Sequence, residues 1–350
     1  MDNAEAKVLD LIFGSWRSQI LYAGVQLGVF ETLGRGPASA GQIASALQAE
    51  ARLLYRLMRA LGALALLHED PDQRFTLTPM GEVLCRDHPQ SLRGLTLLEA
   101  GPEHAAAWTH LSELITAGQQ DAFGREVGES VYTYAEHDSS YDAILDEGLR
   151  TYARLDHPLV VETLATYDFS GITHLCDVGG GHGLTLGSLL VQPPHLRGTV
   201  LERPRVLAQP DAFWAAKLGV GDRCTYVSGD MFHAVPPADA YLLKRILHNW
   251  NDAECGQILS TIHRAAPSQG RVFIIEHIVP GPDTPHFAKL CDLQMLVLLT
   301  GRERTLEEYT GLLAGAGWTY RQTWYPASKR LAWWRPSKPR RLRGWAELRR

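Results

Sequence analysis

The sequence predicts an α/β protein in which a helical N-terminal half precedes a domain built on a mostly parallel sheet flanked by helices. Three observations predict it. Up to about residue 165, apolar residues recur with helical spacing and strand signals are few. Beyond that point, short β-type runs alternate with helical segments as βαβ units do. A chain of 350 residues that is 45% apolar is also long enough to build two cores. The boundary is expected between Tyr167 and Thr173, giving a helical domain over 1–167, a sheet domain over 168–334 and a basic tail over 335–350.

In the first half, GSWRSQILYAGVQLGVFETL reads as a helical pair. Ser39 then precedes the helix AGQIASALQA, and RLLYRLMRALGALALL follows as a longer apolar helix. A turn at Pro71 and Asp72 leads into the strand-like RFTLT. Three helices and a two-stranded wing form a winged-helix-like pattern, which serves either DNA binding or packing between subunits. The helix that would read DNA carries only Arg52, Arg56 and Arg59 beside a broad apolar face, and this favours packing. The apolar first helices are expected to form a homodimer surface.

The second half opens with THLCDVGGGHGLTLGSLL, an apolar strand, a glycine cluster and a helix. Glycines there let the backbone approach a nucleotide-like ligand where a β-carbon would obstruct it. The same spacing occurs in dinucleotide enzymes, so the loop alone leaves the ligand open. Asp177 ends the strand before Gly179 and Gly181, where a carboxylate can hold a ligand ammonium. GTVLERPRVL supplies a second strand ending at Glu202, an acid able to accept two ribose hydroxyls. TYVSGDMF places Asp230 at the end of a third, where it can accept from an adenine amino group while Met231 and Phe232 cover the ring. Three acids at three successive strand ends describe a nucleoside site without phosphates. With no P-loop or arginine-rich element to meet a pyrophosphate, a nicotinamide-dependent oxidoreductase is disfavoured.

Charge and cysteines narrow the class further. A formal charge of -5 gives no electrostatic reason for a polyanionic partner such as nucleic acid, and basic residues concentrate in KRLAWWRPSKPRRLRGWAELRR. KRLAWW reads as the last strand and the rest as a mobile, dispensable extension outside the core. Five scattered cysteines without a CxxC pair argue against a disulfide framework or structural zinc, and no oxygen-ligand cluster suits a hard cation. The first residues, MDNAEAKVLD, lack a basic run leading into an apolar stretch, and no later stretch reads as a membrane span. The expectation is a metal-free cytoplasmic protein.

DVGGGHG, the strand ending in Glu202, GDMF, LLKRILHNWNDAECGQIL, RVFIIEHIVP, and DLQML followed by GRERTLEEYTGLLAGAGW occur in an order that resembles the caffeic acid/hydroxyindole-type O-methyltransferases. That group includes plant phenolic enzymes and bacterial antibiotic-tailoring relatives. The resemblance covers most of the chain. It implies a seven-stranded sheet with a reversed last strand, a homodimer, no metal, and S-adenosylmethionine as methyl donor to a hydroxyl of a small aromatic molecule. It also implies Gly179, Glu202, Asp230, Met231 and Lys244 as cofactor contacts, His248 as base, and Glu276 and Glu303 as the acids flanking that base. Leu149, Tyr152, Asn249 and Met295 correspond to acceptor positions.

The chemistry makes these residue types intelligible on its own terms. Much of the acceleration of an in-line methyl transfer comes from holding the two reactants together. A phenol with a pKa near ~10 is mostly protonated at neutral pH, so a placed imidazole contributes on the order of 100-fold. His248 follows the strand ADAYLLKRI, and Glu276 ends the next strand, RVFIIEH, from where it is expected to orient the imidazole. Thr305 and Glu308 form a capping box after Glu303.

Two departures from the plant pattern bear on the acceptor. Asn249 stands where many plant relatives carry an Asp, and LLTGR before Glu303 is one residue tighter. Some bacterial relatives lack the base and perform other chemistry, including hydroxylation; His248 argues against that here. A cofactor-binding DNA regulator is the alternative from another class.

Overall fold

A computed structural model describes residues 4–325 and 344–349. The chain folds into two compact units, Met1–Thr109 with Tyr132–Tyr152, and His110–Val131 with Ala153–Arg350. The division therefore differs from a single boundary at 167. The helix Ser139–Leu164 contributes to both units, and the segment 110–131 belongs with the sheet.

The first unit begins with α1 (Ala4–Ile12), α2 (Gly14–Leu27) and α3 (Val29–Leu33), followed by β1 (Ala38–Ser39), α4 (Ala40–Leu47), α5 (Ala51–Ala63), β2 (Leu67–Glu69) and β3 (Arg74–Leu77). Ser39 starts α4 through a reciprocal capping box with Gln42, satisfying two backbone donors that the first turn leaves unpaired. On α5 the buried residues are Leu54, Met58 and Leu61, the one-face spacing of an amphipathic helix. They share a core with Phe30, Ile43 and Phe75. The strands form a sheet in the order β1-β3-β2. In α1 nothing is buried, and Val8, Leu9, Leu11, Ile12 and, past its end, Trp16 are exposed.

The second unit is built on a seven-stranded sheet in the order β6-β5-β4-β7-β8-β10-β9. Its strands are β4 (His174–Val178), β5 (Arg197–Glu202), β6 (Cys224–Ser228), β7 (Ala240–Lys244), β8 (Arg271–Glu276), β9 (Thr319–Trp324) and β10 (Gly344–Arg349). β4 through β8 pair in parallel, whereas β10 runs antiparallel to both β8 and β9. The central strands are buried on both faces, which is why they read as continuous apolar runs. Leu175, Val200, Leu242 and Phe273 enter one core, while Cys176, Leu201, Leu243 and Ile274 enter the other.

The placement of β10 corrects the reading of the C-terminal stretch. Gly344–Arg349 is a sheet strand, with Gly344 opposite Glu276 and Arg349 opposite Arg271. Proline and arginine content suggested a mobile tail outside the core, but the edge of β8 presents backbone donors and acceptors that this segment pairs. KRLAWW, the expected last strand, lies outside the described residues. Among the described residues, no helix is long and apolar enough to cross a membrane.

Candidate active site

Side-chain parity along the central strands sets up the site. Residues two apart share a face, so Asp177, Glu202 and Lys244 fall on the same side as Leu175, Val200 and Leu242. Glu276 follows Val272 and Ile274 onto the opposite side. All four stand at the carboxyl ends of parallel strands, the end at which open α/β sheets bind ligands.

The glycine loop follows β4. Gly179 has φ of +69°, a left-handed conformation that favours glycine, and a β-carbon there would also press on the tip of the Ile246 side chain at 2.5 Å. Glu202 accepts from the Gly181 N–H at 3.0 Å and from the Arg203 N–H at 2.8 Å, tying the end of β5 to the loop. Asp177 is buried, and burial raises its pKa to about 7 against the opposing charge of Lys244. Lys244 is held below the usual lysine range, first by burial, with Asp156 and Asp177 acting the other way. Asp230 lies two residues beyond β6 and is exposed, accepting from the Phe232 N–H at 2.9 Å and from His233 Nδ1 at 2.7 Å. Phe232 meets Trp250 edge to face with centroids 4.8 Å apart, and it packs with Met231 against the core.

Past β7 the chain turns sharply. Arg245 has φ of +56°, Leu247–Asn249 forms a 3-10 turn, and His248 is buried within it. Arg245 N–H donates to the Ile275 carbonyl at 3.0 Å. Ile246 N–H and His248 N–H donate to the same Glu276 oxygen at 2.9 and 3.4 Å. Glu276 thus holds the backbone of the turn. The expectation that it orients the imidazole is corrected here, because the carboxylate on His248 Nδ1 is Glu303, at 3.1 Å. Glu303 returns from a distant loop that Asp292 anchors by accepting the Glu303 N–H at 2.9 Å.

The electrostatics separate the two acids. Burial pushes both carboxyls up, and for Glu276 it prevails. For Glu303 it is outweighed by Arg245 and His248, which hold the carboxyl far below its usual range. An ionised Glu303 only accepts, so Nδ1 carries the hydrogen and Nε2 is left as the proton-accepting nitrogen.

Two arginines went unnoticed in the sequence. Arg304, fully buried, donates to the Leu247 and Trp250 carbonyls at 2.9 Å each and to Asp252, pinning the histidine turn to the Glu303 segment. Arg245 Nη1 lies 2.9 Å from Glu303 and 3.7 Å from Glu276. The signal was present as a lysine and arginine closing an otherwise apolar strand, LLKR. Gly301 also matters, since any side chain there would strike the His248 carbonyl.

Donor atoms of His248, Cys291 and Glu303 lie within 4.8 Å of one another, a grouping that could in principle take a metal. Arg245 disfavours it: its guanidinium already donates to Glu303 at 2.9 Å and to Cys291 Sγ at 3.4 Å, so a cation occupies the place.

Comparison with known proteins assigns the chain. An O-methyltransferase domain matches residues 108–319, and an O-methyltransferase dimerisation domain matches residues 9–87. The chain belongs to the O-methyltransferase family. It is 33% identical over 311 residues to phenazine O-methyltransferase PhzM of Lysobacter antibioticus, covering 89% of each chain. The crystal structure of LaPhzM superposes with a TM-score of 0.88 at 31% identity, over 99% of this chain and 98% of that one. NcsB1, an O-methyltransferase from neocarzinostatin biosynthesis, was crystallised with S-adenosyl-L-homocysteine and 1,4-dihydroxy-2-naphthoic acid. It matches with a TM-score of 0.77 at 29% identity, over 95% of each chain.

This methyltransferase uses S-adenosylmethionine, and its residues fit that group. Gly179, Gly180 and Gly181 leave the loop free of side chains, with open space where a Gly181 β-carbon would stand, beside the buried acid Asp177. The acceptor positions are more dispersed. Asn249 donates to the Arg245 carbonyl at 3.3 Å, and Met295 is buried in the helix Ala288–Leu298. In the first unit, Leu149 is exposed and Tyr152 donates its hydroxyl hydrogen to Glu99 at 2.7 Å.

Proposed function

We propose that this O-methyltransferase methylates a hydroxyl of a small aromatic secondary metabolite, with His248 as general base. The supporting observation is the buried His248–Glu303 pair at 3.1 Å on the same sheet rim as the glycine loop. S-adenosylmethionine supplies an electrophilic methyl group on a sulfonium. Gly179, Gly181, Glu202, Asp230, Met231, Phe232 and Lys244 are the proposed cofactor contacts, with Asp177 positioned for its ammonium group. Glu303 fixes the tautomer, and Nε2 takes the acceptor's hydroxyl proton as the oxygen attacks. Glu276 keeps the turn in register, so the imidazole points where the acceptor must lie. Leu149, Tyr152, Asn249 and Met295 are the candidates for acceptor contact.

Assembly follows from the first unit. The dimerisation-domain match and the exposed Val8, Leu11, Ile12 and Trp16 support a homodimer formed through α1 and α2. All five cysteines are free, which suits a reducing compartment such as the cytoplasm. Transfer of a labelled methyl group to phenolic acceptors by the wild type, and its loss in His248→Ala, tests the function.

A further inference from the structure

The catalytic turn carries a cation that the base mechanism does not itself require. The buried cluster contains two carboxylates, Glu276 and Glu303, one guanidinium, Arg245, and one imidazole, His248. With both carboxyls ionised and a neutral imidazole these groups sum to one negative charge. Once the imidazole has taken a proton, they sum to zero. Without Arg245 the same groups would hold two negative charges in a nearly dry site, where like charges strongly favour uptake of a proton.

We propose that Arg245 is a positioning residue that sets the proton count of the catalytic cluster, keeping Glu303 ionised and the His248 imidazole neutral until an acceptor arrives. The proposal rests on the reading of His248 as base, and it stands on geometry. Arg245 sits at φ of +56°, a backbone conformation uncommon for a residue with a side chain, and this places it immediately past β7. From there Nη1 lies 2.9 Å from Glu303 and 3.7 Å from Glu276, while Nη2 donates to Cys291 Sγ at 3.4 Å. Glu303 Oε1 is shared, since it also accepts from His248 Nδ1 at 3.1 Å. One oxygen therefore meets both the permanent cation and the group that must become a cation during the reaction.

The charges around the cluster support the same account. On the imidazole side stand Glu303 from the loop ahead of the helix Leu306–Gly315 and Glu276 from β8; Cys291 faces Arg245 from the helix Ala288–Leu298. Asp292, His277 and Tyr309 contribute at longer range to Glu303, Asp156 to Arg245, and the adjacent Lys244 to both Arg245 and Glu276. Burial works against the Arg245 charge, but Glu303 and Glu276 outweigh it and hold the guanidinium firmly protonated. Of these groups, only Arg245 contacts both carboxylates as a fixed positive charge.

The test reads protons directly and needs no acceptor. Full-length protein labelled with 13C at glutamate carboxyls and 15N at histidine rings is titrated by NMR, with His248→Gln, Glu276→Gln and Glu303→Gln assigning the signals. In Arg245→Met, the proton affinity of the cluster is expected to rise tenfold or more, which raises its proton occupancy at pH 7 above the wild-type value. It should register as a protonated carboxyl or as an imidazolium. Arg245→Lys should return the wild-type count, and so should the charge-balanced double variant Arg245→Met/Glu303→Gln. If Arg245→Met does not fold, Arg245→Gln is read the same way. An unchanged proton count in a folded, uncharged variant overturns the proposal, as does an extra proton that persists in the double variant. Neither result depends on catalysis, so failure here is distinguishable from failure of the base assignment, which His248→Ala turnover decides.

Discussion

Replacing each of the two buried acids by its amide separates their roles. Glu303→Gln removes the charge facing His248 Nδ1 at 3.1 Å. At that separation, an effective dielectric near 20 puts the attraction for an imidazolium at a ceiling of about 5 kcal/mol. Measured hydrogen bonds to charged groups contribute about 1.5 to 3 kcal/mol, or roughly 10- to 150-fold in rate. The upper part of that range is expected, because the amide also leaves Arg245 near the imidazolium with only the more distant Glu276, at 3.7 Å, to offset it. Glu276→Gln is milder: an amide oxygen can still accept from the Ile246 and His248 N–H groups that Glu276 holds at 2.9 and 3.4 Å. Its expected loss in kcat is below about 10-fold. Single-turnover assays with labelled S-adenosylmethionine, together with circular dichroism to verify folding, compare the two. A larger loss for Glu276→Gln than for Glu303→Gln would refute the assignment of Glu303 as the imidazole's partner.

Two further outcomes follow from the same structure. Asp177, with its pKa raised to about 7, stabilises the ligand-free fold only while protonated, so stability should fall as pH rises from about 4 towards 7 and then level off. Asp177→Asn should therefore stabilise the ligand-free protein at pH 8, by about 1 to 3 kcal/mol once the loss of one of Lys244's acidic neighbours is allowed for. It should do so much less at pH 5 while weakening S-adenosylmethionine binding, and equal melting shifts at the two pH values would count against it. At the proposed dimer surface, Trp16 is 64% exposed in the isolated chain and stacks obliquely on Phe13 at 4.7 Å. Trp16→Asp forfeits the burial of a large aromatic in each subunit, about 3 kcal/mol or more per side chain, and should shift light-scattering mass to the monomer at micromolar concentration.

Legibility in the sequence followed the locality of each interaction. β4, β5, β7 and β8 were visible because strands buried on both faces run apolar between glycine and proline punctuation. The starts of the helices Ala40–Leu47 and Leu306–Gly315 were visible because a capping box lies within four residues. His248 stood out as a candidate because it follows a strand whose end must reach the ligand rim. The choice between Glu276 and Glu303 was not visible. It depends on strand parity and on a loop returning 55 residues later to the histidine. Arg245 was hidden for a related reason, since its role needs three partners from three separate segments. Gly344–Arg349 escaped because charge dominates its composition, whereas its pairing partner, β8, is nearly 70 residues away. The segment 110–131 looked like part of the helical half, yet Asp121 N–H donates to the Leu296 carbonyl at 2.9 Å and Gln120 to the Gly301 carbonyl at 3.0 Å.

The measurement closest to the central claim is methyl transfer from trideuteromethyl-labelled S-adenosylmethionine to a panel of phenols, read by mass spectrometry for the wild type and His248→Ala across pH. The wild type should deliver one labelled methyl group per reacting hydroxyl. His248→Ala should bind the cofactor normally and turn over about 100-fold more slowly or worse at neutral pH. Its deficit should shrink as the pH approaches the phenol's own pKa near ~10, because the acceptor then arrives ionised. Near-wild-type turnover by a folded His248→Ala protein at neutral pH would contradict the account.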